Sequence, residues 1–459
     1  MATRRQFVRT SLLGAAAALA PTRDAIGAVP RWWTAPARDP ATGVQDVPDR
    51  LPIAWYRATI ARLQTKLQAA GLAGLLLKDQ WNIVYLSGYF HSQTERPEAL
   101  WVPATGEPAL FCPGLDRDLV ANWWIRDAEF YFDYPHAEAQ NDPRAATVAT
   151  PRGTVDLWTW MVRGLDRRGA GGGAIGLDWD APESTLAKFR QALPRASFRP
   201  AGDLVMTMRV VKTPEEIALT QRAIDYHDKM LDFCRAYVLR RGTEATDFDV
   251  RHAAEAYGVD LVMQDVRRDG RPHTAVGVTV GVGCRTGVGT AFPHPNQFFH
   301  AKIKRGDAIQ FSGVMVRIGG YGGEGYRACH IAPMTDHQKK LWDVHTEMTL
   351  GQQTSSRAGV ECRTVAAQVH EIARRAGLER YVYHRPAHGA GMEGHQRPYV
   401  ALGDDTVMAE GMMFSNEPGL YDPETGVGYN HSNNLVITRD RGVQMNKTPL
   451  TKEWCWLTL

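Results

Sequence analysis

The sequence has no CxxC spacing, no excess of either charge and no apolar run long enough to cross a bilayer. Its cysteines, Cys112, Cys234, Cys284, Cys329, Cys362 and Cys455, are scattered. That scatter excludes a zinc ribbon and a dithiol redox centre, and it names no disulfide pairs. Lys and Arg number 53 against 50 Asp and Glu, well mixed, for a formal net charge of +3. Such balance argues against nucleic acid or an anionic membrane surface as the main partner. The apolar run from Ser11 to Ala20 falls far short of the about 20 residues a spanning helix needs. What remains is an ordinary soluble composition, 44% hydrophobic and 22% charged, over 459 residues, enough for two or three domains.

The N-terminus has an ordered layout. Thr3-Arg4-Arg5-Gln6-Phe7 leads directly into the short apolar run, and small residues follow. A basic segment, a brief apolar segment and small residues near a cleavage point describe an export signal. The arginine pair with Phe7 behind it points to the twin-arginine route. The expectation is a signal over residues 1–28 and delivery of a folded protein to a bacterial periplasm.

Residues 29–50 are rich in Pro, Asp and Ala without periodicity, which predicts a linker or irregular surface arm. From Trp55 the pattern changes. Ile60, Leu63, Leu67 and Leu72 recur at helical spacing, while AGLAGLLLK, EALWVP, PALFCP and AIGLDWD have strand character. This alternation predicts an α/β domain over residues 51–205. A second domain is expected over residues 206–459. There Thr213 is placed as an N-cap, Pro214 at the first helical position and Glu216 near the third. Further helices are predicted over 247–257, 338–350 and 363–376, and strands around 276–282, 308–317, 412–416 and 435–438. Strands and helices in blocks predict an α+β domain with helices against one sheet.

Unusual polar residues gather beside glycines and strand ends in this second domain. His294 lies in AFPHPN, Glu324 in IGGYGGEGYR, His388 and His395 in PAHGAGMEGHQRP, and Glu417 in GMMFSNEPGLY. The glycines let backbone approach whatever Glu324 contacts. Imidazole with carboxylate suits zinc, manganese or iron, and the same pair moves protons without a metal. The residues alone leave both open.

In order and spacing, GDAIQFSG, GGYGGEGYR, PAHGAGMEGHQRP, GMMFSNEPG and GVGYNHSNNLVIT resemble the catalytic domain of the creatinase/prolidase/aminopeptidase P superfamily. VVKTPEEIAL resembles its opening helix, and the resemblance extends over nearly everything from about Leu51 onward. It implies a pita-bread catalytic domain behind a creatinase-like α/β domain. Peptidases of that superfamily hold two metals on Asp, Asp, His, Glu and Glu. Here the His falls on His388, the first Glu on Glu417 and the second Asp on Glu324. The first Asp falls on Ser312 and the last Glu at or near Ser432, so the implied dinuclear set is incomplete. Two arrangements remain. Glu324, His388 and Glu417 hold one divalent ion (Mn, Zn or Fe) beside His431, or there is no metal, as in creatinase.

The text around Asn82 to Gly88, and RPEAL after it, resembles the creatinase N-terminal domain. That implies a homodimer in which Arg96 holds a substrate carboxylate across the subunits, a task suited to a guanidinium. The creatinase histidine falls on His294. Tyr326 falls near a glutamate that grips the guanidino group, so creatine is not the expected substrate; Tyr326 and His431 are carried as substrate-binding positions. The implied mechanism has His294 or His388 as general base on water, Glu417 orienting it or receiving a proton, and His395 donating to or binding the reacting group. Glu324 and Glu417 are expected to push their pKa values apart and leave one neutral acid. The leading expectation is an exported hydrolase of a C–N bond in a small carboxylate-bearing substrate. The alternatives are a one-metal Xaa-Pro peptidase or superfamily lyase, and an inactive binding protein of the same fold.

Overall fold

The structure, a computed structural model, describes residues 36–90, 94–132, 145–147, 149–150, 153–154, 156–266, 278–294, 300–312 and 316–459. The export signal expected over residues 1–28 lies outside the described residues. Two compact units divide between Arg209 and Val210.

In the first unit, helix α1 (Ile53–Ala69) buries Ile53, Tyr56, Ile60, Leu63 and Leu67, the three-and-four spacing of one helical face. Pro52 offers it no capping side chain, so Asp46 accepts the Ile53 N–H, at 2.8 Å. The stretch 36–50 is therefore irregular but anchored. Arg50 within it is fully buried, donates to the Gly88 carbonyl at 3.1 Å and lies 4.2 Å from the Trp123 ring centre.

Strand β1 (Gly74–Leu77), helix α2 (Gln80–Ser87), β2 (Ala99–Pro103), β3 (Ala109–Pro113), β4 (Asp127–Phe132) and β5 (Ala145–Thr147) follow. After helix α3 (Leu157–Asp166) come β6 (Ala174–Leu177), helix α4 (Glu183–Ala192) and β7 (Ser197–Pro200). The strands form one mixed sheet, ordered β5-β4-β3-β2-β1-β6-β7. Central β1 is antiparallel to β2, parallel to β6 and buried at every residue. Burial on both faces explains why it is continuously apolar rather than alternating. Met161, Val162 and Leu165 of α3 and Phe189 of α4 pack with Trp101 and Phe111 of the sheet. This is the α/β layering the sequence predicts.

The second unit carries the long helix α5 (Pro214–Arg241). Its capping box is the one legible in sequence. The Thr213 hydroxyl accepts the Glu216 N–H at 3.4 Å, and the Glu216 carboxylate accepts the Thr213 N–H at 2.8 Å. Helix α6 (Asp247–Asp265) runs past its expected end; α7 (Asp336–Ser355) and α8 (Cys362–Arg375) lie where the periodicity places them. Besides a short hairpin of Arg317–Ile318 with Tyr321–Gly322, the strands are β8 (Gly283–Thr286), β9 (Ala308–Ser312), β10 (Arg327–Ile331), β11 (Ala387–Gly389), β12 (Gln396–Val400), β13 (Met413–Asn416), β14 (Gly419–Asp422), β15 (Val427–Asn430), β16 (Asn433–Ile437), β17 (Gly442–Gln444) and β18 (Trp456–Leu457).

The expectation of helices against one sheet needs correction, because these strands form two larger sheets. One is ordered β8-β9-β10-β18 and the other β12-β11-β13-β16-β17, with β14 and β15 as a separate hairpin. The sequence run from Val427 to Ile437 breaks at His431 and Ser432, β15 pairing with β14 and β16 with β13. At the break, Ser432 and Tyr326 exchange backbone hydrogen bonds at 3.2 Å, which satisfies the polar groups that leave the ladder. Helix α5 packs Ile217 and Ile224 against Ala390, Met413, Val436 and Met445 of the second sheet region. Burying each isoleucine contributes about 1.5–3 kcal/mol.

Candidate active site

Glu324 precedes β10 in a glycine-flanked turn, and one side chain grips its backbone. Asn434 Oδ1 accepts the Glu324 N–H at 3.2 Å, and Asn434 Nδ2 donates to the Glu324 carbonyl. A Cβ on Gly323 would fall 2.6 Å from the Asn434 amide, so a residue without one is required for this approach. Asn446 Oδ1 holds Asn434 in turn, accepting its backbone N–H at 2.7 Å. The Glu324 carboxylate is fixed as well: Ser415 Oγ donates to Oε2 at 3.0 Å and lies 3.0 Å from Ser432 Oγ. Strand register makes this possible. His388 of β11, Ser415 of β13 and Asn434 of β16 are directly opposed across three strands.

His388 is fully buried. Its Nδ1 donates to the Gly389 carbonyl at 3.1 Å, and Nε2 lies 3.1 Å from Glu417 Oε1 and 3.5 Å from Glu324 Oε2. With Nδ1 committed as a donor, a bare Nε2 lone pair would face two carboxylates; that nitrogen therefore carries a proton or meets a cation. Burial opposes the charge, but hydrogen bonds and Coulomb attraction from Glu324 and Glu417 outweigh it and raise the His388 pKa to about 10. Conversely, burial pushes Glu324 up, and His388 with Ser415 more than reverses this, holding the carboxylate below its ordinary range. Of the two acids expected to diverge, Glu324 is thus not the neutral one, because the His388 ring lies beside its carboxylate.

His395 stacks on His388, with ring centres 3.9 Å apart and planes at 22°. Its Nδ1 accepts from Arg385 Nη2 at 3.2 Å, while burial and the adjacent His388 charge lower its pKa. Donor atoms of Glu324, His388 and His395 all lie within 4.8 Å of one another. This cluster differs from the expected one by having His395 in place of Glu417, which meets His388 Nε2 directly. The donor set and the demand for positive charge at Nε2 fit one divalent ion. They do not fit two, since the hydroxyls of Ser312 and Ser432 replace carboxylates and Ser432 is bonded to Ser415.

A cavity of about 710 Å³ opens beside this cluster, lined by His294, Ser312, Tyr326, His395 and Glu417 among others. His294 is exposed on its wall. His431 is a correction. It is fully buried, its Nδ1 accepts the Ala328 N–H at 3.1 Å, and its ring centre lies 4.3 Å from that of His345. It does not line the cavity, because extended backbone alternates: Asn430 and Ser432 face the site and His431 the core behind it. Arg96 belongs to the first unit, where its Nη1 meets Glu95 Oε1 at 2.7 Å. Sequence reasoning missed Ser415, Asn434 and Arg385. Ser415 had a signal, since it stands two residues before Glu417 on an extended segment and shares its face. Asn434 had a fainter one, a polar residue opening a buried apolar strand.

Residues 59–211 match the Creatinase/Prolidase N-terminal domain, and residues 218–439 match Metallopeptidase family M24. The chain is 26% identical over 366 residues to the Xaa-Pro dipeptidase of Lactobacillus helveticus, covering 79% of this chain and 89% of that one. The Xaa-Pro dipeptidase from Bacillus anthracis shares the fold at a TM-score of 0.69 and 18% identity, over 88% of this chain and 100% of that one. So does dipeptidase PepE from Mycobacterium ulcerans, at a TM-score of 0.69 and 22% identity, over 89% and 100%. Both domains match in their family order, and the chain belongs to the creatinase/prolidase/aminopeptidase P superfamily, hydrolases that act on C–N bonds.

Proposed function

We propose that this protein hydrolyses a C–N bond in small carboxylate-bearing substrates, with Xaa-Pro dipeptides the first class to assay. One observation carries the reading: His388 Nε2 lies between the carboxylates of Glu324 and Glu417, and Glu417 and His395 open onto the cavity. Glu324, His388 and a third donor, His395 or Glu417, would hold one divalent ion. Such an ion supplies a Lewis acid and lowers the pKa of bound water. The protein's own groups do the rest. Ser415 and Asn434 fix Glu324, so the charge arrangement needs no rearrangement as the reaction proceeds. Glu417, at the cavity face, orients water and takes its proton. Where Glu417 is the third donor, His395, neutral with Nδ1 occupied by Arg385, keeps its proton on Nε2 for the leaving nitrogen.

The test combines elemental analysis of protein purified without chelator with an assay for proline release. About one ion per chain, lost in His388→Ala and Glu324→Ala together with hydrolysis, supports the one-metal reading. A second reading is metal-free, creatinase-like hydrolysis, favoured by how fully the two carboxylates balance a His388 imidazolium; activity that survives exhaustive chelation selects it. No turnover of dipeptides or of small amide and guanidino acids under either condition would leave the inactive binding protein. The N-terminal pattern and the resemblance at Arg96 support two further proposals, twin-arginine export and a homodimer. Unchanged periplasmic delivery of an Arg4→Lys, Arg5→Lys double variant would count against the first, and a single-chain mass in sedimentation against the second.

A further inference from the structure

Arg285 lies on β8 directly opposite Gln310 of β9 and lines the cavity. Its Nε donates to Gln310 Oε1 at 2.7 Å and its Nη1 to the Pro293 carbonyl at 3.0 Å. Gln310 is locked in turn, because its Nε2 donates to the Asn430 carbonyl at 3.0 Å. The guanidinium is thus held rigid by neutral acceptors on its strand side. Nη2 makes no hydrogen bond among the described residues. Among those residues Arg285 also has no ion pair, unlike Arg251 of the same cavity, which meets Glu255 at 3.1 Å. The titratable groups nearest it, Tyr421, Tyr326 and Cys284, are held protonated by burial and lend it no negative charge, and its own burial disfavours the cation. The phenols of Tyr326 and Tyr421 feel both Arg285 and Glu417, so the cation and the catalytic carboxylate face one space. A partly desolvated, preorganised guanidinium with no counter-charge among the described residues is costly unless a ligand supplies one.

We infer that Arg285 is the specificity residue of this site, receiving the carboxylate of the substrate while the scissile C–N bond lies toward Glu417 and His388. This rests on the hydrolase reading above and adds to it the end of the substrate that is recognised. The substrates are small acids or dipeptides with a free C-terminal carboxylate. Neutralised C-termini are rejected because they leave the Arg285 donors unmatched.

The test uses the full chain with glycyl-proline and glycyl-prolinamide, compared by calorimetric binding and by product formation. The native protein is expected to bind the acid at least about tenfold more tightly than the amide, the value of a charge-assisted pair. Arg285→Gln should abolish that preference with amide binding unchanged, and Arg285→Lys should restore only part of it. Arg251→Gln, whose guanidinium already has a partner, should keep the preference in full. Equal binding of acid and amide to the native protein, including no measurable binding of either, overturns the inference without recourse to any variant. So does loss of the preference in Arg251→Gln rather than Arg285→Gln. Preference for the acid without hydrolysis refutes the peptidase reading and leaves the carboxylate site standing, whereas equal hydrolysis and binding of both peptides does the reverse.

Discussion

At the scale of single residues, the site depends on groups that never contact the cavity. Ser415 holds one oxygen of Glu324 at 3.0 Å. Ser415→Ala should lower turnover or metal affinity about 10–100-fold, the usual effect of removing a group that orients a ligand, while melting temperature changes little. Asn434→Ala should be harsher, because it strips partners from both the N–H and the carbonyl of Glu324. Each buried group left unsatisfied costs about 1–3 kcal/mol, so a urea titration should show lost stability together with lost activity. That contrast separates fixing a carboxylate from fixing the backbone that carries it. His388→Gln should reduce turnover at least about 100-fold in a steady-state assay, since an amide neither binds a divalent ion as imidazole does nor carries a positive charge between two carboxylates.

At the scale of elements, α5 ties the second unit together at its first turn and along one face. Thr213→Ala removes the cap on the Glu216 N–H and should cost about 1 kcal/mol in a urea titration. Ile224→Ala, under Met413 and Val436, should cost about 2–5 kcal/mol, because the sheet cannot collapse into the space left. This helix was legible in sequence to its capping box, since local hydrogen bonds and spacing suffice to specify it. The strands were less so. Periodicity marks β13 and β16 as buried but carries no information about partner or register, and it is register that aligns His388, Ser415 and Asn434.

At the scale of the whole molecule, buried neutral histidines set the acid limit of stability. Burial lowers the pKa of His345 to about 3 and of His330 to about 4, while His345 Nδ1 donates to the Trp342 carbonyl at 2.8 Å. Both values lie below the roughly 6.5 of an unfolded histidine. Stability from these rings is therefore present above pH 6.5 and lost as pH falls toward 4 and then 3. The unfolded chain binds protons that the folded one excludes, about 1.4 kcal/mol per pH unit for each ring. Urea midpoints should fall steadily below pH 6.5, and His345→Asn should make that decline shallower; in metal-free protein they should also fall from pH 7 to 8, because the stabilisation of the His388 cation, whose pKa is raised to about 10, is lost as pH rises.

The sequence by itself determined the two-domain layout, the capped helices, the candidate polar residues and, through a resemblance, the superfamily. Those features are written in short-range spacing and in residue types that chemistry demands wherever they fall. Only the tertiary structure decided that His431 faces the core and that His388 lies between two carboxylates. It also decided that Ser415 and Asn434 hold Glu324 in place. Strand alternation and cross-strand register set which way a side chain points and what it meets, and both depend on partners far away in the chain.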